Sequence, residues 1–174
     1  MSAKSHGAVL VMLALCACEA PPRSDASDGP AVEPSTSTPA PDPAPAPASG
    51  WRLSRNGEGV SVELARDGAS VARFACLNSG KVFQAQGYSL DPIGSEERLT
   101  IGAGNEAHAL VADPGASVTG VEGSGSISPA VLEAIEAGGL LSISYGAQTL
   151  GPLESLSPAD RAAFVSGCRA VLAG

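Results

Sequence analysis

Histidine, methionine and aromatic residues are nearly missing from this 174-residue chain: there are 2 His and 2 Met, and Phe, Trp and Tyr together make up 3%. His6 lies in the first seven residues, which leaves His108 alone in the remainder. One imidazole without free thiols cannot supply a zinc site, and a Ser-His-Asp triad needs a positioned nucleophile beside it. No serine sits in a G-x-S-x-G elbow. Positive charge is also scarce, with 10 Lys+Arg against 18 Asp+Glu and a formal net charge of −8. Such a balance repels phosphate backbones and argues against a nucleic-acid partner. No apolar run approaches the roughly 20 residues that span a bilayer.

What is present begins with an address. Met1 to Gly7 carries Lys4 and no acid, and Ala8 to Cys18 is an unbroken apolar run. Glu19, two prolines and Arg23 then end it, so it reads as an export signal and not as a span. Its end, Leu15-Cys16-Ala17-Cys18, has an aliphatic residue three places before a cysteine and two small residues between. This pattern resembles the lipobox of bacterial lipoproteins. The resemblance implies a signal peptide over 1–17, lipidation of Cys18, and an envelope location, with the outer membrane favoured over the inner. The competing cysteine, Cys16, is preceded by the bulky Leu15 and fits less well. An ordinary secretory signal that happens to hold two cysteines is the plainer alternative.

Residues 18–49 form the next segment. Nine of the 14 prolines fall between 19 and 49, and Val32 is the only sizeable aliphatic there. Such a stretch cannot bury enough surface to offset the cost of ordering it, and alternating Ala-Pro favours an extended polyproline II spacer. Export also decides how the remaining cysteines are read. Cys76 and Cys168 are expected to form one disulfide in an oxidising compartment, the alternative being two buried free thiols.

Residues 50–174 are enough for one domain with one core. Apolar and polar residues alternate from Trp51 to Leu53, Val60 to Leu64, Val82 to Tyr88, Arg98 to Ile101, His108 to Ala112, Val118 to Glu122 and Leu140 to Tyr145, the pattern of half-buried strands. Asp67-Gly68 marks a hairpin returning through Ser70 to Cys76. A two-residue turn would set Val62 opposite Arg73, sending Arg73 to the core face. A three-residue loop, Asp67 to Ala69, instead pairs Val62 with Phe74 and Glu63 with Arg73, and is preferred. Ser128-Pro129 and Ser157-Pro158 open two helices, the first stopping at Gly138-Gly139 and the second presenting Phe164, Val165, Cys168, Val171 and Leu172 on one face. The expected fold is α+β, mainly β: an antiparallel sandwich or small barrel with the C-terminal helix packed on the sheet.

Three motifs invite chemistry. Gly102-Ala-Gly104-Asn-Glu-Ala107 matches a dinucleotide fingerprint but lacks a βαβ context, so it reads as a glycine turn and no cofactor is expected. Glu96 and Glu97 are adjacent, which in a strand would turn them to opposite sides unless the backbone turns there. Trp51, Tyr88 and Tyr145 either line a surface or fill the core. The tryptophan-initiated strand, the strand ending in Cys76 and the Phe164-x-x-x-Cys168 helix resemble exported β-sandwich proteins of the invasion-associated locus B kind. Anchor and size are also similar to lipid-anchored inhibitors of c-type lysozyme, although their Ser-Gly-x-x-Tyr loop is missing. The expectation is a non-enzymatic envelope lipoprotein that binds an envelope protein or a cell-wall component. A lysozyme-inhibitor-like protein or a hydrolase using Glu96 and Glu97 are the alternatives.

Overall fold

The structure is a computed structural model and describes residues 49–174. The expected signal peptide over 1–17, the expected lipidation site Cys18 and the proline-rich segment up to residue 48 lie outside the described residues. Those described form nine strands and two helices: β1 (Gly50–Asn56), β2 (Gly59–Arg66), β3 (Ala69–Leu77), β4 (Val82–Gly87), β5 (Arg98–Ala103), β6 (Glu106–Asp113), β7 (Val121–Gly125), α1 (Pro129–Glu136), β8 (Leu141–Tyr145), β9 (Gln148–Leu150) and α2 (Pro158–Ala173). All neighbouring strands are antiparallel, in one sheet ordered β1-β2-β3-β4-β7-β6-β5-β8-β9. The fold is mainly β with two helices, and α2 packs on the sheet against β2 and β3. The sheet curls in its second half, bringing β4 towards β8 across three intervening strands.

Period-two alternation sorts each strand into an inner and an outer face. Val62, Leu64, Phe74, Cys76, Phe83, Ala85, Leu99, Ile101, Ile143 and Tyr145 point inward and are fully buried. With so few aromatics, their placement matters. Trp51, Phe74, Phe83 and Phe164 form a chain with ring centroids 6.1, 6.4 and 6.5 Å apart, running from β1 across β3 and β4 to α2. Cys76 and Cys168 are bridged, with their Cα atoms 5.1 Å apart, so α2 is held to β3 by a covalent bond beside these rings. Both helices start as their sequences direct. The Ser128 and Ser157 side chains accept from the backbone N–H of Ala130 and Asp160, and proline occupies the first helical position of each.

The first hairpin pairs Val62 with Phe74, Val60 with Cys76 and Glu63 with Arg73, the expected register that keeps Arg73 on the outer face, but its turn is not the expected three-residue loop. Arg66 pairs with Ala69, leaving Asp67 and Gly68 as a two-residue turn with φ of 51° and 80°. A β-bulge between Leu64 and Ala65 supplies the missing shift, since Leu64 faces Ala72 while Ala65 faces Ser70. The strand expected over 118–122 begins instead at Val121. Val118 is 104% exposed in a loop, and Gly120 has φ of 73° with no room for a Cβ, which would lie 2.1 Å from Gly87 O.

Candidate functional site

The inner faces of the curled half are filled by Leu99, Ile101, Leu110, Val121, Ile143 and Tyr145. Its outer face is built differently. Register sets Thr100 between Ala109 on β6 and Ser144 on β8, and Gly102 between Ala107 and Ser142. Ser144 Oγ and Thr149 Oγ1 are 3.2 Å apart across β8 and β9. The result, beyond Arg98 and its partner Val111 at the start of β5, is a floor of short side chains that end in a hydroxyl or a methyl. Gly102 is needed there, as a Cβ would meet Ser142 Oγ at 2.4 Å.

Two shallow grooves open on this face and share Glu96 and Arg98. One, of about 450 Å³, is lined by residues 95–98 and 109–111; the other, of about 340 Å³, adds Thr100, Ser144 and Gly146. Glu96 and Glu97 both border the larger groove because the backbone turns before β5, the Glu96 N–H donating to Ile93 O at 3.0 Å. The Glu96 carboxylate accepts from the Arg98 N–H at 3.0 Å, and the Ala112 N–H donates to Glu97 O at 2.9 Å. Tyr145 fastens the turn from inside. Its buried hydroxyl donates to Ile93 O and Glu96 O at 2.7 and 3.0 Å, and lies 3.2 Å from the Ile93 N–H. The position of this tyrosine as the anchor of the Glu96 turn had no signal in the strand pattern, which places it only on a buried face.

Charge along the outer face follows one row of register partners. Arg52, Glu63, Arg73, Gln86, Glu122 and Asp113 stand opposite one another across β1, β2, β3, β4, β7 and β6. Opposite charges alternate at the β1 end. At the β6 end two carboxylates face each other, an arrangement that costs stability in an isolated sheet pair. Their partners are neutral: Glu122 accepts from Gln84 Nε2 at 2.7 Å, and Asp113 from the Gly115 N–H at 3.0 Å. Tyr88 sits beside this row. Burial, helped by Glu63 and Glu122 and opposed by Arg73, raises its phenol above the ordinary value.

The remaining sequence candidates do not join this site. His108 lies on the inner side of β6 at its end, with Nε2 2.9 Å from Ser126 O. Gly104 and Asn105 form the two-residue turn between β5 and β6, with glycine first at φ of 58°, so this stretch is a hairpin turn. Among the described residues, no three His, Cys, Asp or Glu side chains are arranged to hold a metal ion, and no helix is long and apolar enough to cross a membrane. No protein-family model matches the chain, and no curated protein or solved structure matches it.

Proposed function

We propose that this chain is a bacterial envelope lipoprotein, tethered through Cys18, whose folded domain serves as a non-enzymatic binding module on an extended spacer. The observation that supports it most is the Cys76–Cys168 bridge. Both of its cysteines are fully buried, as in a structural bond, and such bonds persist where thiols are oxidised. That compartment agrees with the export signal at the other end of the chain. The tether itself rests on Leu15-Cys16-Ala17-Cys18. Several tens of acyl methylenes at about 0.8 kcal/mol each would hold the protein to the membrane without any basic patch. Fractionating bacteria that express the full chain tests this reading. The wild type is expected in the membrane pellet and Cys18→Ser in the soluble or unprocessed fraction; equal partitioning of both would contradict the anchor.

A second reading, a carboxylate-dependent hydrolase, takes its support from Glu96 and Glu97 bordering one groove. Paired carboxylates of this kind cleave glycosidic bonds when they flank the scissile oxygen. Any hydrolytic activity found in the purified protein should then vanish in Glu96→Gln with Glu97→Gln. Retention of that activity removes the reading.

A further inference from the structure

The acidic residues of the domain are not spread evenly. Residues 88–156 contain nine Asp or Glu and a single Arg or Lys, Arg98. The rest of 50–174 holds four acids against seven bases. The outer face of β6, β5 and β8 lies in the acidic part. Its floor of Thr100, Gly102, Ala107, Ala109, Ser142 and Ser144 is open, and Glu96, Glu97, Asp113 and Glu122 gather towards one end of it. Val111 stands at that same end, 71% exposed, opposite Arg98, the one cation of this part.

We propose that this sheet face is the docking surface for an extended cationic polypeptide. The inference rests on reading the domain as a binding module and names the chemistry of its partner. Three features select that occupant over others. The like-charged Asp113 and Glu122 are set directly opposite with only neutral donors, so an incoming cation relieves a repulsion that the fold otherwise carries. Beyond Arg98 the floor carries no long side chain, so the aliphatic stems of lysine or arginine can lie flat along Thr100, Ala107, Ala109 and Ser144 while their heads reach the carboxylates. Those carboxylates outnumber Arg98 four to one at that end, and Val111 offers an apolar contact beside them. Three strands at about 4.8 Å spacing make the face wider than a single small cation needs. Net negative potential over the same area steers a basic segment in and turns phosphate-bearing partners away.

The test uses the full chain purified in detergent and a fluorescent alternating Lys-Ala decapeptide as probe, followed by anisotropy at low and high salt. Saturable binding that weakens with salt is expected, and none to the matching Glu-Ala peptide. Asp113→Asn with Glu122→Gln should weaken binding roughly tenfold, and Ala109→Arg, an exposed position, should do the same. Glu133→Gln with Glu136→Gln removes the same two charges from α1 and should leave affinity unchanged. Absence of saturable binding, or an equal loss in the α1 pair, overturns the docking surface. Neither result touches the tether, which is read out separately by membrane fractionation.

Discussion

The two parts of the sheet are stabilised by different means. In β1–β4 with α2, four aromatic rings follow one another in tilted and edge-on contact and a disulfide fixes the helix to β3. Charges on the outer face alternate in sign. The β5–β9 part has no bridge and one buried aromatic, Tyr145, whose hydroxyl holds the Glu96 turn. There like charges face each other. A region that sets two carboxylates opposite each other and, beyond Arg98, floors its outer face with short side chains is poorly explained by stability alone, and this contrast singles out the β6–β5–β8 face.

The contrast breaks most visibly at the bridge. Cys76→Ala with Cys168→Ala should lower stability by about 4 kcal/mol, because reopening so long a loop restores unfolded-state entropy. Denaturant midpoints with and without reductant measure it, and the reduced wild type should match the variant. Tyr145→Phe keeps the ring and removes the bonds to Ile93 and Glu96, at a cost of about 1–3 kcal/mol. Hydrogen exchange should then quicken over 91–98 while β1–β4 stay protected. An equal loss of protection in both parts would show that they do not differ in the way described.

Smaller effects sharpen the charge comparison. Asp113→Asn retains an oxygen for the Gly115 N–H and removes the like-charge pair, so it should raise stability by a few tenths of a kcal/mol, most at low salt. Arg73 lies in the alternating part of the row, and Arg73→Gln should lower stability instead. Tyr88 gives the least. Its raised pKa means the unfolded chain loses the phenol proton first, so wild-type stability should fall relative to Tyr88→Phe as pH rises through and above about 10. Denaturant midpoints across that window read the slope; a rising difference would contradict the sign.

Much of this architecture could be read from the chain. Two Ser-Pro caps locate both helices, and the outward demand of Arg73 gives the register of the first hairpin correctly. That register is reached through a bulge, which residue patterning does not show because Val71 looks like any other strand residue. β9 escapes notice because three residues carry too little alternation, and β7 shifts because Val118 mimics a strand start that Gly120 forbids. Glu96 and Glu97 were visible as a pair, but their common groove depends on a turn fixed by a tyrosine 49 positions from Glu96. The concentration of acids over 88–156 is plain from counting, whereas the Asp113–Glu122 opposition needs the β6–β7 pairing, a contact between strands whose register no turn residue announces.

The central claim is a tethered domain closed by one bridge outside the cytosol, and intact-mass measurement of the mature protein addresses both halves together. The account predicts a chain beginning at Cys18, heavier by its acyl groups, with Cys76 and Cys168 resistant to alkylation until reduced. A mature protein that starts elsewhere without lipid and alkylates at both cysteines would contradict it.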